Sequence, residues 1–303
     1  MIRKKFLFLF VGCVIWVSCS EHAFDTHNVV ADSNSVLLTK MSSFNDSLIQ
    51  SRVETRGWVK PGAWKRAQVI AADCGGAWSL GKAGFWAGGL FSPGGAAVGA
   101  TIGALIGGTC GSYTAYASLY WSRALPLHPL TPQKATTAYA SLLNDENVNF
   151  EEYVPKTINV DYPILDDNIT LMGAKHNVLL KSIMLDDFKE NDYKDILSDE
   201  EVKVIESKEY KASFDSIMAS ISVIDGVLVL KGNDVGTKLM NLFYDVFQKY
   251  SEDSDDVQFL INKYIDEVNS TSELSDEDKK LVYSSLSVIA SSYEFWSNID
   301  LLL

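Results

Sequence analysis

The 303-residue chain has no arginine between residues 144 and 303, only four histidines and only four cysteines. Each scarcity excludes a class of chemistry. His22, His27, His128 and His176 give no HExxH spacing, and the cysteines form no CxxC pair, so the common zinc frameworks are absent. There is no Gly-x-Ser-x-Gly elbow, and no Gly-Lys-Ser/Thr follows the glycine-rich stretch, which removes the hydrolase elbow and the phosphate loop. The acidic run Glu252, Asp253, Asp255, Asp256 lacks the central glycine and distal glutamate of a calcium loop. No metal and no cofactor are therefore expected. Residues 144–303 carry 14 lysines against 33 Asp and Glu, a net charge of −19. Such a surface repels phosphate backbones, so nucleic acid is not an expected partner.

What is present begins with an export signal. Arg3, Lys4 and Lys5 precede twelve uncharged residues, Phe6 to Val17, and then Ser18 and Cys19. A basic start, a short apolar run and a small residue at the cut describe a signal peptide over 1–18. The run is too short to cross a ~30 Å hydrocarbon core as a helix. Val17-Ser18-Cys19 resembles the lipobox of bacterial lipoproteins, with Trp16 standing where that motif prefers an aliphatic residue. The resemblance implies a diacylglycerol on Cys19, a membrane partner through that acyl anchor, and an exported, cell-envelope location, on the outer membrane. Residues 19–57 are polar without a sustained apolar period and read as a flexible tether.

The composition then changes. From Ala83 to Ser122 forty residues pass without a charge. Gly95, Gly99, Gly103, Gly107 and Gly111 recur at every fourth position and form a bare ridge on a helix. In water each interior glycine costs about 1 kcal/mol against alanine, so the ridge requires another backbone packed against it. The segment Trp64 to Phe91 supplies one, and Ser92-Pro93-Gly94 supplies the turn. Folding residues 58–123 into a hairpin about that turn opposes positions whose numbers sum to about 184. Gly76 then meets Gly108, Gly81 meets Gly103, Gly89 meets Gly95, and Cys74 meets Cys110. An oxidising compartment favours a disulfide between these two cysteines, with two separate buried thiols as the alternative. Trp58, Trp64, Tyr113, Tyr116, Tyr120 and Trp121 gather at the open end as an interfacial belt or a core lid.

Residues 124–303 read as an acidic helical domain. Thr131-Pro132 opens a helix to Leu143, an apolar stripe marks 168–187, and Ser198 with Glu201 resembles a capping box. Further helices are expected at 234–251, 255–269 and 276–297, with a short strand at 227–230. The fold class is thus mainly α: a Gly/Ala-rich antiparallel hairpin followed by an acidic helical bundle. Cys74-Gly75-Gly76-Ala77-Trp78 superficially resembles a cysteine-hydrolase nucleophile loop with His176 as base, but nothing marks an oxyanion site. His176 and Asn177 are a polar pair on an otherwise apolar helix start and read as a buried hydrogen-bonding site.

Several of these features occur together in a recognisable way. Ala72-Asp73, Gly75-Gly76-Ala77, Gly173 to Leu179 and the serine-rich Ser287 to Trp296 resemble uncharacterised exported proteins of the Bacteroidetes type, a family that implies no activity. The glycine ridge also resembles the glycine-zipper hairpins of outer-membrane lipoproteins and of small pore-forming bacteriocins. Two non-enzymatic functions compete. In one, a lipid-anchored envelope protein carries a membrane-associating or self-packing hairpin, with self-association or a protein partner. In the other, the hairpin is only the core of a soluble helical binding module. A bacteriocin-like membrane-active protein and a cysteine hydrolase are further alternatives. Burial of Val98, Ile102, Leu105 and Ile106 discriminates the first two.

Overall fold

Helix α1, Val36–Arg56, opens the computed structural model, which describes residues 35–120, 130–164, 166–189, 191–220, 222–224 and 227–298. The signal peptide, Cys19, residues 20–34 and Trp121 lie outside the described residues. Ser35 caps α1 by accepting the Leu38 N–H at 3.1 Å. The tether expected over 19–57 is corrected here, since residues 36–56 are a packed helix. Its buried stripe is Leu37, Leu38, Met41, Asn45 and Arg52. Two of the later stripe positions are polar, and that hides the helical period.

The hairpin follows as α2, Pro61–Gly89, and α3, Pro93–Tyr120. A Cβ placed on Gly84 would lie 1.9 Å from the Gly99 carbonyl oxygen, and one on Gly76 would lie 2.0 Å from that of Gly107. Gly88 stands in the same relation to Gly95, Gly103 to the Leu80 carbonyl and Gly111 to that of Ala72. Opposed numbers therefore sum to 183, one less than the pairing read from the sequence. The ridge on α2 is Ala72, Gly76, Leu80, Gly84 and Gly88. Where a side chain would stand, a Cα hydrogen points at the facing carbonyl, a contact worth ~0.5–1 kcal/mol. Gly81 instead meets Leu281 and Ala104, Gly108 meets His176, and Gly89 is exposed beside the turn.

Around the hairpin stand α4, Pro132–Leu143; α5, Asp167–Thr170; α6, Met172–Leu185; α7, Asp199–Glu206; and α8, Lys208–Ser220. The strands β1, Ser222–Ile224, and β2, Val227–Val229, pair antiparallel with Ser222 opposite Val229. Then come α9, Val235–Tyr250; α10, Ser254–Ser270; and α11, Asp276–Ser297. The caps act as their residue types dictate. Thr131 accepts from the Lys134 N–H, and Ser198 and Glu201 close a reciprocal capping box.

Helices α6, α7, α8, α9 and α11 all pack on the hairpin. Ile102, Leu105 and Ile106 are at most 1% exposed and Val98 is half-buried. Residues 31–303 form one compact unit, so the hairpin and the acidic helices are not separate domains as the sequence suggested. Lys82 pairs with Asp234 at 2.7 Å and lies over the Trp78 ring. Trp78 itself is buried against Gly236 and donates its indole N–H to Thr237 Oγ1 at 3.1 Å.

Candidate functional site

The residues singled out along the sequence converge where α2, α3, α6 and α11 meet. Gly173 makes the convergence sterically feasible: a Cβ there would stand 2.1 Å from the Ser287 carbonyl oxygen. Its own N–H donates to Ser287 Oγ at 3.2 Å. One turn later Asn177 Nδ2 donates to the Ser291 carbonyl at 2.8 Å, which turns Oδ1 towards His176 Nδ1 at 3.1 Å. Nδ1 therefore carries the ring proton in the neutral imidazole. Ser292 Oγ lies 3.4 Å from the same nitrogen.

On the other side of Ser292 stands Asp73, fully buried in α2. Its Oδ2 accepts the Trp296 indole N–H at 3.1 Å, and Trp296 stacks on Tyr116 with centroids 4.9 Å apart. Burial pushes the carboxyl up to about 8, against smaller opposing effects of the Ser112, Ser292 and Trp296 donors. Asp73 is thus largely a neutral acid at pH 7. Its Oδ1 has no hydrogen-bond partner of good geometry. Burial likewise drives His176 down to about 4, opposed by Asn177 and by the Gly108 backbone. The ring's Nε2 has no hydrogen-bond partner of good geometry among the described residues.

The order Asp73, Ser292, His176 does not make a catalytic triad. Ser292 is fully buried, and it meets the ring nitrogen whose proton goes to Asn177. The arrangement can hold protons and orient helices.

Cys74 and Cys110 are free and buried, which overturns the expected disulfide. The reason is rotational. Cys74 lies midway between ridge positions Ala72 and Gly76, and so points away from α3. It donates to the Ser285 carbonyl at 3.3 Å and accepts from Tyr244 at 3.5 Å. Burial raises both thiols far above their ordinary value, so neither is a nucleophile. Among the described residues no hydrogen bond joins His176 to Cys74, each bonding to other groups, which leaves the cysteine-hydrolase alternative without its base. No three His, Cys, Asp or Glu side chains converge as a metal site among the described residues.

A surface recess of about 180 Å³ opens beside the cluster, with Asn177 and Ser291 among its walls and Lys156, Lys181 and Glu294 around it. Glu294 accepts the Lys156 and Thr157 N–H groups, pinning the 154–157 strap against α11. The open-end aromatics divide: Tyr113 is buried, while Trp58 is 54% exposed. A second polar network escaped the sequence reading. Arg52 is buried and pairs with Glu252 at 2.5 Å and, more loosely, with Asp256 at 3.5 Å; Arg56 reaches Asp256 at 3.0 Å. Its only signal in the sequence was two arginines four apart.

No family model matches the chain, and no curated protein or solved structure is similar to it. The reading of function therefore rests on the molecule itself.

Proposed function

We propose that this chain is a lipid-anchored module of the bacterial cell envelope, exported by residues 1–18 and held at a membrane through Cys19. Its glycine hairpin is the rigid centre of a water-facing helical domain that presents its surface to an envelope partner. The observation that carries this reading is the burial of α3. Gly94–Leu119 has the length and apolarity of a membrane span, yet 72% of its most apolar stretch is covered by the rest of the domain. Inserting it would strip α6, α7 and α11 from α3, uncover the buried Ile102, Leu105 and Ile106, and break Lys82 from Asp234. A charge at bilayer centre costs at least ~2.5 kcal/mol on insertion scales.

The residues that resemble Bacteroidetes-type exported proteins are those that meet in the polar cluster, which supports treating that likeness as one of architecture. Self-association through the glycine ridge is disfavoured, because the ridge already faces α2. The test is metabolic labelling with a radioactive fatty acid in a bacterial host. The native chain takes the label and fractionates with membranes. Cys19→Ala loses the label and is released from membranes by alkaline extraction. An unlabelled native chain would overturn the anchor, and a Cys19→Ala chain that resists alkaline extraction would return the hairpin to the bilayer.

A further inference from the structure

We infer that the tip of the hairpin, Phe85 to Phe91, is a lipid-contact surface that seats the domain on a bilayer of low surface charge. The inference rests on the membrane location proposed above, though not on the acyl group itself. Trp86 is 67% exposed, Leu90 68% and Phe91 47%, in a chain whose other large apolar side chains are mostly in the core. The three flank one turn, and no charged residue occurs in the sequence from Ala83 to Ser122. Trp, Leu and Phe on one edge are the side chains that enter the headgroup region of a bilayer.

The occupant follows from where the chain leaves the domain. Asn45 of α1 bonds to the Leu242 carbonyl and Arg52 to Glu252, so α1 and α9 run in the same direction. Lys82 pairs with Asp234, Trp78 with Thr237 and Arg66 with the Glu252 carbonyl, so α2 runs against α9. The start of α1 and the tip of the hairpin therefore share one end of the bundle, and Val36, 76% exposed, stands at that end too. Residues 19–34 connect it to Cys19. Sixteen residues span at most ~55 Å when extended, so the tip lies within reach of any membrane that holds Cys19.

The charges behind the tip set both depth and lipid class. Glu200 accepts a hydrogen bond from Ser92, Asp199 neighbours it on α7, and Asp234 holds Lys82. From Lys82 to Leu90 a helix rises only ~12 Å, so these carboxylates halt the tip at the interface. They also repel anionic headgroups.

The test is cosedimentation of the mature chain with Cys19→Ala, which lacks the acyl group, with phosphatidylcholine vesicles. The chain sediments with the vesicles, and the double variant Trp86→Ser/Leu90→Ser lowers the partition coefficient at least about tenfold, as loss of two buried apolar side chains requires. Leu185→Ser, an exposed apolar change at the C-terminal end of α6, leaves partitioning unchanged. Adding phosphatidylglycerol weakens binding at low salt and high salt restores it. Circular dichroism and melting confirm that the variants are folded. Absence of sedimentation, an equal effect of Leu185→Ser, or binding that strengthens with phosphatidylglycerol would overturn the inference. Failure of fatty-acid labelling would remove the anchor and leave this measurement standing.

Discussion

Gly84 and Gly99 touch backbone to backbone across the hairpin, each occupying the space in which the other would need a side chain. A methyl group on either would stand 1.9 to 2.1 Å from a carbonyl oxygen of the facing helix. The obstructing atoms are backbone on both sides, so neither methyl fits unless the two helices move apart. Gly84→Ala and Gly99→Ala are each expected to destabilise the fold by about 3 kcal/mol, at the upper end of overpacking costs. Gly62, also in α2 but exposed with nothing within 4 Å, gives the opposite sign, with Gly62→Ala gaining up to ~0.5–1 kcal/mol from helix propensity. Urea unfolding of the three variants checks both directions.

The buried acid gives a pH dependence whose sign is fixed. Asp73, at about 8 in the fold, keeps a proton that the unfolded chain releases near pH 4, so its folded form loses stability as pH climbs towards 8. His176, at about 4 in the fold, stays neutral while the unfolded chain protonates below pH 6.5, so stability falls as pH drops through that range. Between pH 4 and 6.5 the two slopes, about 1.4 kcal/mol per pH unit each, oppose one another. From pH 6.5 to 8 only the acid remains. Asp73→Asn, which keeps the neutral shape, is expected to flatten the decline over that window relative to the native chain. Parallel profiles in denaturant titrations at several pH values would show that Asp73 is not the source.

Arg52 ties α1 to the α9–α10 corner. Arg52→Ala leaves Glu252 with Lys60 and Asp256 with Arg56, both more exposed partners than Arg52. Removing one member of a buried ion pair costs about 3 kcal/mol. The loss is expected to appear both in global stability and as early proteolysis of residues 36–56. Unchanged proteolysis would mean that Leu37, Leu38 and Met41 alone hold α1.

The hairpin was legible in the sequence because glycine at every fourth position has no other stable use in a helix. The register was read one residue off, since thirteen glycines allow neighbouring pairings and only rotation about the helix axis decides among them. That same rotation decided against the disulfide: equal distance from a turn brings two residues to the same height, and Cys74 still faces α11. Helix α1 was hidden by Asn45 and Arg52, polar residues placed in the buried stripe because partners wait for them on α9 and beyond it. The capping residues Thr131 and Ser198 were readable because a cap is a local interaction. The polar cluster was readable only in parts. Gly173, His176, Asn177 and the late serines each stood out, but the joining of Asp73 to Trp296 spans more than two hundred residues and leaves no periodic trace.

The central claim is that the hairpin is the core of a domain folded in water. It is tested most directly by amide hydrogen exchange on the non-lipidated mature chain in detergent-free buffer. The account predicts that residues 102–112 of α3 exchange only through global unfolding and are among the slowest amides in the protein. Rapid exchange of that stretch while α9 and α11 remain protected would contradict it, because it would show a hairpin held loosely enough to leave the domain.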